Sequence, residues 1–419
     1  MIVSDLHDAA LYAWREAAVR DAVLVHVDAH HDADAKEWDF ITISNFVWWA
    51  LCEGVLREVY WVVPEPSWKT ASRRALIEQS LATLARQHDA SGAVESGERF
   101  VRASIAGRPF TACPLRSLPE TRHALLDVDV DYFLVPDIAE ELPPIEGSMP
   151  WIWPAELLDA LRTTVVKPAV VTVATSTRGG FTPLEWKYLA EELCTRLGAG
   201  AGEPFEALRS GAEAERLGDL DGAEARYQQA IGLLPSSAGA RYRLARLHLL
   251  RGDDDAARSA FRDVVGRDAS YRAIDSEGRR WHAAGNPVAA ARGYRETLRM
   301  DPENSYAELG LAQLAAATGD HLEAITHFER ALQYCGTLVD AHRGIARSLQ
   351  AMGGIDRASE HYARSLRLEL LGHAPLDAPI ATRPRAPRLF DDAHWDIHRR
   401  LAALQHETNW LLALDRLHT

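Results

Sequence analysis

The chain is short of several things, and each shortage closes off a class of protein. It has four cysteines, Cys52, Cys113, Cys194 and Cys335. They are widely separated and form no Cys-x-x-Cys pair, so neither a disulfide framework nor a thiolate zinc site is indicated. Lysine is confined to Lys36, Lys69, Lys167 and Lys187, and all other basic residues are arginine. No apolar run approaches the roughly 18 residues of a membrane-spanning helix. The opening Met-Ile-Val-Ser-Asp-Leu-His has no basic stretch leading into an apolar one, as a secretory leader would, so a cytoplasmic protein is expected. Positive charge is also in deficit: 46 basic residues face 60 acidic ones, a formal net charge of -14. The deficit is lopsided, with 18 basic and 29 acidic residues in the first 200 positions and a near balance in the remainder. Such a surplus repels phosphate backbones and anionic lipid, so no nucleic acid and no membrane is expected as a partner; cationic ligands and metal ions suit it better.

What is present suffices for two or three packed domains: 419 residues, 47% of them hydrophobic and 25% charged. From about residue 204 the texture becomes periodic. Gly218, Gly252, Gly285, Gly319 and Gly353 recur at steps of 33 or 34. Each is followed five residues later by alanine (Ala223, Ala257, Ala290, Ala324, Ala358) and nine later by an aromatic (Tyr227, Phe261, Tyr294, Phe328, Tyr362). Five register-true copies of a helix, a glycine turn and a second helix resemble the tetratricopeptide repeat. A single unit could not bury its apolar face, so the copies stack, with the aromatic filling the space between neighbours. The repeats span residues 204–373. A proline-rich connector follows at 374–388, and residues 389–419, with Trp395, Leu401, Leu404 and Trp410 at helical spacing, read as a C-terminal helix.

The first 200 residues alternate differently. Short β-branched runs, Ala22 to Val27, Val59 to Val63, Ala124 to Val130 and Ala169 to Ala174, are separated by helix-like segments such as Ser72 to Gln87 and Pro183 to Leu197. This pattern predicts a three-layer α/β domain with a mainly parallel sheet covered on both faces. In such sheets chemistry sits beyond the carboxyl ends of the strands.

Two strand ends there are rich in ligands. Val23-Leu-Val-His-Val runs into Asp28-Ala29-His30-His31-Asp32, and Leu125-Leu126 runs into Asp127-Val128-Asp129-Val130-Asp131, which sets three carboxylates on alternate positions and hence on one face. Carboxylates crowded together and partly buried are costly unless cations compensate them, and mixed carboxylate and imidazole donors favour Mn(II), Fe(II) or Zn(II) over Ca(II). His26 alternates inward and reads as structural. Trp38, Trp48, Trp49 and Trp61 form an aromatic neighbourhood that reads as core.

At these motifs the chain resembles the arginase and ureohydrolase superfamily, and within it the divergent branch that contains the peptide arginases. Those enzymes convert arginine side chains in ribosomally made precursor peptides to ornithine. The resemblance implies two Mn2+ held by His7, Asp28, His30, Asp32, Asp127 and Asp129, with Asp28 and Asp127 bridging. It further implies a shared water of lowered pKa that attacks the guanidinium carbon. Asp131 is the candidate base, or an orienting carboxylate. Asn45, Ser176 and Gly180 are candidate substrate contacts. The implied partner is an arginine-containing precursor peptide, presented by the repeats. Two other functions remain open from sequence: hydrolysis of a different guanidine or amide, and a catalytically dead scaffold built around the repeats.

Overall fold

The β-branched runs of the first 200 residues form strands, and their order explains where the ligand-rich ends meet. In this computed structural model the described residues are 1–34, 41–88, 92–138, 149–177, 181–272 and 276–370. The expected connector at 374–388, the C-terminal helix at 389–419, Trp38 and Gly180 lie outside them. The strands are β1 (Ile2–Ser4), β2 (Ala22–Val27), β3 (Leu56–Val63), β4 (Val94–Ser96), β5 (Val101–Ile105), β6 (Arg108–Pro114), β7 (Thr121–Arg122), β8 (Leu125–Asp129), β9 (Val165–Val166) and β10 (Val170–Ala174). Eight of them make one sheet in the order β1-β10-β8-β2-β3-β6-β5-β4, while β7 and β9 pair separately. Pairing is parallel from β1 across to β6, as the alternation of strands and helices predicts. The far edge is an antiparallel β5–β6 hairpin with β4 beyond it. The hairpin turns on Ala106 (φ 49°) and Gly107 (φ 73°), two left-handed residues whose twist suits a two-residue connection.

The helices of this part are α1 (Ala9–Glu16), α2 (Phe46–Cys52), α3 (Glu65–Trp68), α4 (Ala71–His88), α5 (Pro154–Leu161) and α6 (Tyr188–Leu197). Successive residues of β2 face opposite ways. Leu24 joins a core with Leu11 of α1, Leu51 of α2 and Leu81 of α4. Val25 and Val27 join another with Leu157 of α5 and Leu193 of α6. The sheet is therefore the middle of three layers.

Among the described residues ten further helices follow as five pairs: α7 (Glu203–Arg216) with α8 (Leu220–Leu233), α9 (Ala238–Leu250) with α10 (Asp254–Arg267), α11 (Ser276–Ala283) with α12 (Pro287–Met300), α13 (Ser305–Ala317) with α14 (His321–Tyr334), and α15 (Val339–Ala351) with α16 (Ile355–Leu370). The periodic glycines are the turns inside each pair, all left-handed with φ between 70° and 83°. A side chain there would be strained, which is why glycine recurs. In the first four pairs the next residue caps the second helix: Asp219, Asp253, Asn286 and Asp320 each accept from a backbone N–H three residues on. The periodic alanines and aromatics are buried. Gly344 shows how closely the pairs approach, because a Cβ built there would stand 2.1 Å from the ring of Phe328.

By packing the chain divides into a unit of Met1–Ala269 and a unit from Ser270 onward. The first two helix pairs thus belong with the sheet. Arg243 of α9 is buried with its guanidinium 4.2 Å from the Trp186 ring, and Arg209 of α7 lies 4.5 Å over Trp153. Glu191 of α6 accepts from Ser237 Oγ (2.7 Å) and Gly239 N (3.1 Å) at the start of α9. Repeat texture begins near residue 204, but the core that covers the sheet runs on through Phe205, Leu208 and Tyr227.

Two tests follow from the second unit. Gly344→Ala should lower its stability by about 1–3 kcal/mol through overpacking against Phe328, read from thermal melts. His342 and His361 face each other with their Nδ1 atoms 3.1 Å apart. Burial, then the charge of His361, pushes the His342 pKa down to about 4, and burial also lowers that of His361. Below the ordinary histidine value of about 6.5, the unfolded chain takes up protons that the folded unit refuses, so stability is lost as pH falls from there towards 4. The melting temperature should drop between pH 7 and pH 5, and by less in His342→Asn. An equal drop in both proteins would refute this assignment.

Candidate metal centre

Four neighbouring strands, β1, β10, β8 and β2, end on the same side of the sheet, and their carboxyl ends bring the ligand-rich segments together. His7 lies three residues beyond β1. Asp28 follows β2 directly, and His30 and Asp32 lie on the loop that leaves it. Asp129 closes β8, and Asp131 sits in the 3-10 turn Val130–Phe133 after it. Thr172 is on β10 and Ser176 just past its end. Asp28, Asp127, Asp129, Asp131, His7 and His26 are at most 3% exposed.

His7 is the centre of the cluster. Its Nδ1 stands 3.1 Å from Asp28 Oδ2, 3.0 Å from Asp32 Oδ2 and 3.1 Å from Asp129 Oδ2. On its other side Nε2 is 2.8 Å from Asp127 Oδ2. His30 forms a second focus, with Nδ1 3.4 Å from Asp28 Oδ1 and 3.1 Å from Asp131 Oδ2. Asp28 and Asp129 therefore face the first focus, Asp28 also faces the second, and Asp131 belongs to the second. Asp127 points elsewhere: its Oδ2 also meets His26 Nδ1 at 2.9 Å, and Thr172 Oγ1 donates to its Oδ1.

Local backbone holds these groups in place. Asp28 Oδ1 accepts from His30 N (2.7 Å), and Trp61 Nε1 donates to the Asp28 carbonyl (2.9 Å). Asp129 accepts from Asp131 N at 3.1 Å and from Ser176 Oγ at 2.6 Å. Asp32 (φ 48°) and Ser176 (φ 47°) are both left-handed, a conformation costing on the order of 1 kcal/mol that tends to persist at functional sites.

Electrostatics sharpen the picture. Burial works against protonating His7, but Asp127 and Asp129 outweigh it and hold its pKa well above the usual value. Burial likewise opposes charge on His30, and Asp131 with Asp28 raises it regardless. Burial and then the neighbouring Asp28 raise Asp32 to about 6, and burial with Asp129 and Asp28 pushes Asp131 well up. The cluster thus competes for protons, because buried groups of like charge each favour the neutral form of a neighbour. Among the described residues, Asp28 Oδ2, Asp131 Oδ1 and His26 Nε2 are buried without a hydrogen-bond partner.

These donors suit divalent metal. Around an octahedral ion with bonds of about 2.1 Å, neighbouring donors stand about 3.0 Å apart. That is the spacing between His7 Nδ1 and each of its three carboxylate oxygens. The triads His7, His26, Asp28 and Asp28, His30, Asp131 each gather ligand atoms within 4.8 Å of one another.

A cavity of about 670 Å³ opens over the cluster. Its floor is acidic, with Asp32, Asp34, Asp129 and Asp131, and Leu76, Leu84, Ile43 and Phe181 supply apolar wall. The sequence offered no sign that one face of α4 would line this cavity. Of the expected substrate contacts, Ser176 lines it. Asn45 is buried and its Oδ1 accepts from Thr42 N at 2.7 Å, so it closes the turn before α2. Trp61 is buried core, with Trp48 and Trp49 packed against the same cluster.

No curated protein matches the chain. Among solved structures, a MamA protein is 18% identical, with a TM-score of 0.24 over 43% of this chain and 98% of that one. YrrB, described as a tetratricopeptide-repeat protein with an unusual peptide-binding site, is 14% identical over 42% and 91%, with a TM-score of 0.23. A MamA fragment from Desulfovibrio magneticus RS-1 is 15% identical over 42% and 99%, with a TM-score of 0.23. Residues 215–275 and 283–336 match tetratricopeptide-repeat family models. The helical region of this chain is accordingly built of tetratricopeptide repeats.

Proposed function

We propose that the sheet-bearing unit is a binuclear-metal hydrolase that converts peptidyl-arginine to peptidyl-ornithine and urea. The observation that carries this reading is the convergence of His7, His30 and four carboxylates, Asp28, Asp32, Asp129 and Asp131, into two adjoining ligand sets at the ends of neighbouring strands. The first set is His7, Asp28, Asp32 and Asp129; the second is Asp28, His30 and Asp131. Asp28 is shared. This frame lies two residues further along β8 than the superfamily resemblance alone implies, with Asp131 a ligand and Asp127 outside the set. Two Mn2+ bound there would supply Lewis acidity and a hydrolytic water active near neutral pH.

The chain's own groups account for the rest. The acidic floor attracts a guanidinium. Water adds its oxygen to the guanidinium carbon, the bond from that carbon to the side-chain nitrogen breaks, and the leaving amine takes up a proton. A cavity of about 670 Å³ with apolar wall above the acidic floor has room for more than one amino acid, which favours a peptide over free arginine. Repeats of this type commonly bind peptides or proteins, and here they would help to hold the precursor.

The scaffold reading retains one point in its favour, that the repeats are the part of the chain with family matches. Metal binding decides between the two. Mn2+ added to chelator-stripped protein should raise the melting temperature by several degrees, because it binds the folded state and offsets the clustered carboxylates. No shift, and no metal retained on purification, would favour the scaffold. Activity is read by mass spectrometry of arginine-containing precursor peptides encoded beside the gene. Each converted site should lose about 42 Da, the mass of CH2N2 given up in this hydrolysis. Release of urea separates it from deacylation. Asp28→Ala should abolish the change, and a shift that persists in that variant would sink the proposal.

A further inference from the structure

The geometry points to Asp127 as a positioning residue, the centre of a row His26–Asp127–Thr172 that fixes which nitrogen of His7 faces the metal site. The inference rests on the binuclear-metal reading and goes beyond it, because neither proposed ligand set contains Asp127 or Thr172, and His26 approaches the cluster only through Nε2, 3.4 Å from Asp28 Oδ2.

The row is written into the sheet. Asp127 pairs in register with His26 on β2 and with Thr172 on β10, so the three side chains stand abreast on one face of adjacent parallel strands. All three are buried, Asp127 and His26 completely. An ionised carboxylate only accepts hydrogen bonds. His7 Nε2 and His26 Nδ1 at 2.8 and 2.9 Å must therefore both donate to Oδ2, while the Thr172 hydroxyl donates to Oδ1. With two N–H groups on one oxygen, Oδ2 has no lone pair left for a cation. The donor roles then propagate outward. A neutral His7 carries its proton on Nε2 and presents the Nδ1 lone pair to the space shared with Asp28, Asp32 and Asp129. A lone pair 3.0 to 3.1 Å from three carboxylate oxygens is repulsive unless a proton or a metal cation lies between. Ring packing holds the orientation, with Phe46 4.8 Å and His26 5.4 Å from His7 between centroids. Carboxylates that orient ligating imidazoles in this way typically change metal affinity by about 10–100-fold when replaced.

The superfamily resemblance would instead make Asp127 a bridging ligand, and the two assignments predict opposite metal stoichiometries. Chelator-stripped wild type, Asp127→Asn and Asp131→Asn are titrated with Mn2+ alone by calorimetry, and bound metal is counted after dialysis. If Asp127 positions, Asp127→Asn keeps the wild-type number of ions and binds them about 10–100-fold more weakly, while Asp131→Asn loses one ion. With Co2+ at saturation, the visible bands keep their positions in Asp127→Asn and move in Asp131→Asn. Loss of an ion in Asp127→Asn with both retained in Asp131→Asn overturns the inference, as does an unchanged affinity in Asp127→Asn. Should Asp127→Asn fail to fold by circular dichroism, Thr172→Val removes only the hydroxyl donor, and it should weaken Mn2+ several-fold at unchanged stoichiometry; no weakening there also refutes the row. A wild type that binds no Mn2+ is a different outcome, and it removes the hydrolase reading itself.

Discussion

Like-charge crowding at four strand ends is the constraint around which the sheet-bearing unit is organised. Five aspartates and three histidines occupy a space where the tightest contacts between side chains are about 3 Å, nearly all of it shielded from water. Desolvation alone would push such carboxylates towards their neutral forms, and mutual repulsion adds to that. The histidines partly relieve it, but they are themselves buried. A fold that gathers these groups, holds Asp28 through Trp61 and His30, and twists Asp32 and Ser176 into left-handed backbone has invested stability in one spot. The proposed ions would repay this by neutralising the charge that the cluster concentrates.

The parallel sheet makes the crowding achievable. Strands that run the same way end on the same side, and in the order β1-β10-β8-β2 those ends lie side by side. The chain leaves β2 towards β3 on one flank and β8 lies on the other, so a crevice opens where the winding reverses. The antiparallel hairpin takes no part in the cluster. It extends the sheet beyond β3 and presents the Phe110 side chain to the core beneath α4. Packing against helices α7 and α9 extends the same unit on the opposite layer, through Arg209 on Trp153 and Arg243 on Trp186. The first two repeats are thereby structural elements of the unit that carries the cluster.

How much of this was legible depended on the distance over which each signal acts. The repeats could be read almost completely, because a glycine with φ near 80°, the cap after it and the buried alanine and aromatic recur at a fixed local spacing. Asp28, His30 and Asp32 stand out too, since three residues of metal-ligating type within five positions at the end of a β-branched run is a local pattern. The β5–β6 hairpin could have been found from the alternation of Val101, Ala103 and Ile105 and the Ala-Gly turn, which are period-two signals in a region dominated by helical ones. The role of Asp127 could not. Asp127, Asp129 and Asp131 look alike along the chain, and the strand was expected to carry all three on one face, whereas it ends at Asp129 and turns.

The sequence by itself determined the fold class, the five repeats and the residue types gathered at the strand ends, because hydrophobic period, turn chemistry and ligand spacing are properties of neighbouring residues. Tertiary structure decided which of those residues meet. His7 and Asp127 are 120 positions apart and Asp129 and Ser176 are 47 apart, yet each pair is hydrogen-bonded. Those meetings follow from strand order and register, which depend on how whole strands and helices pack, and no local pattern encodes them.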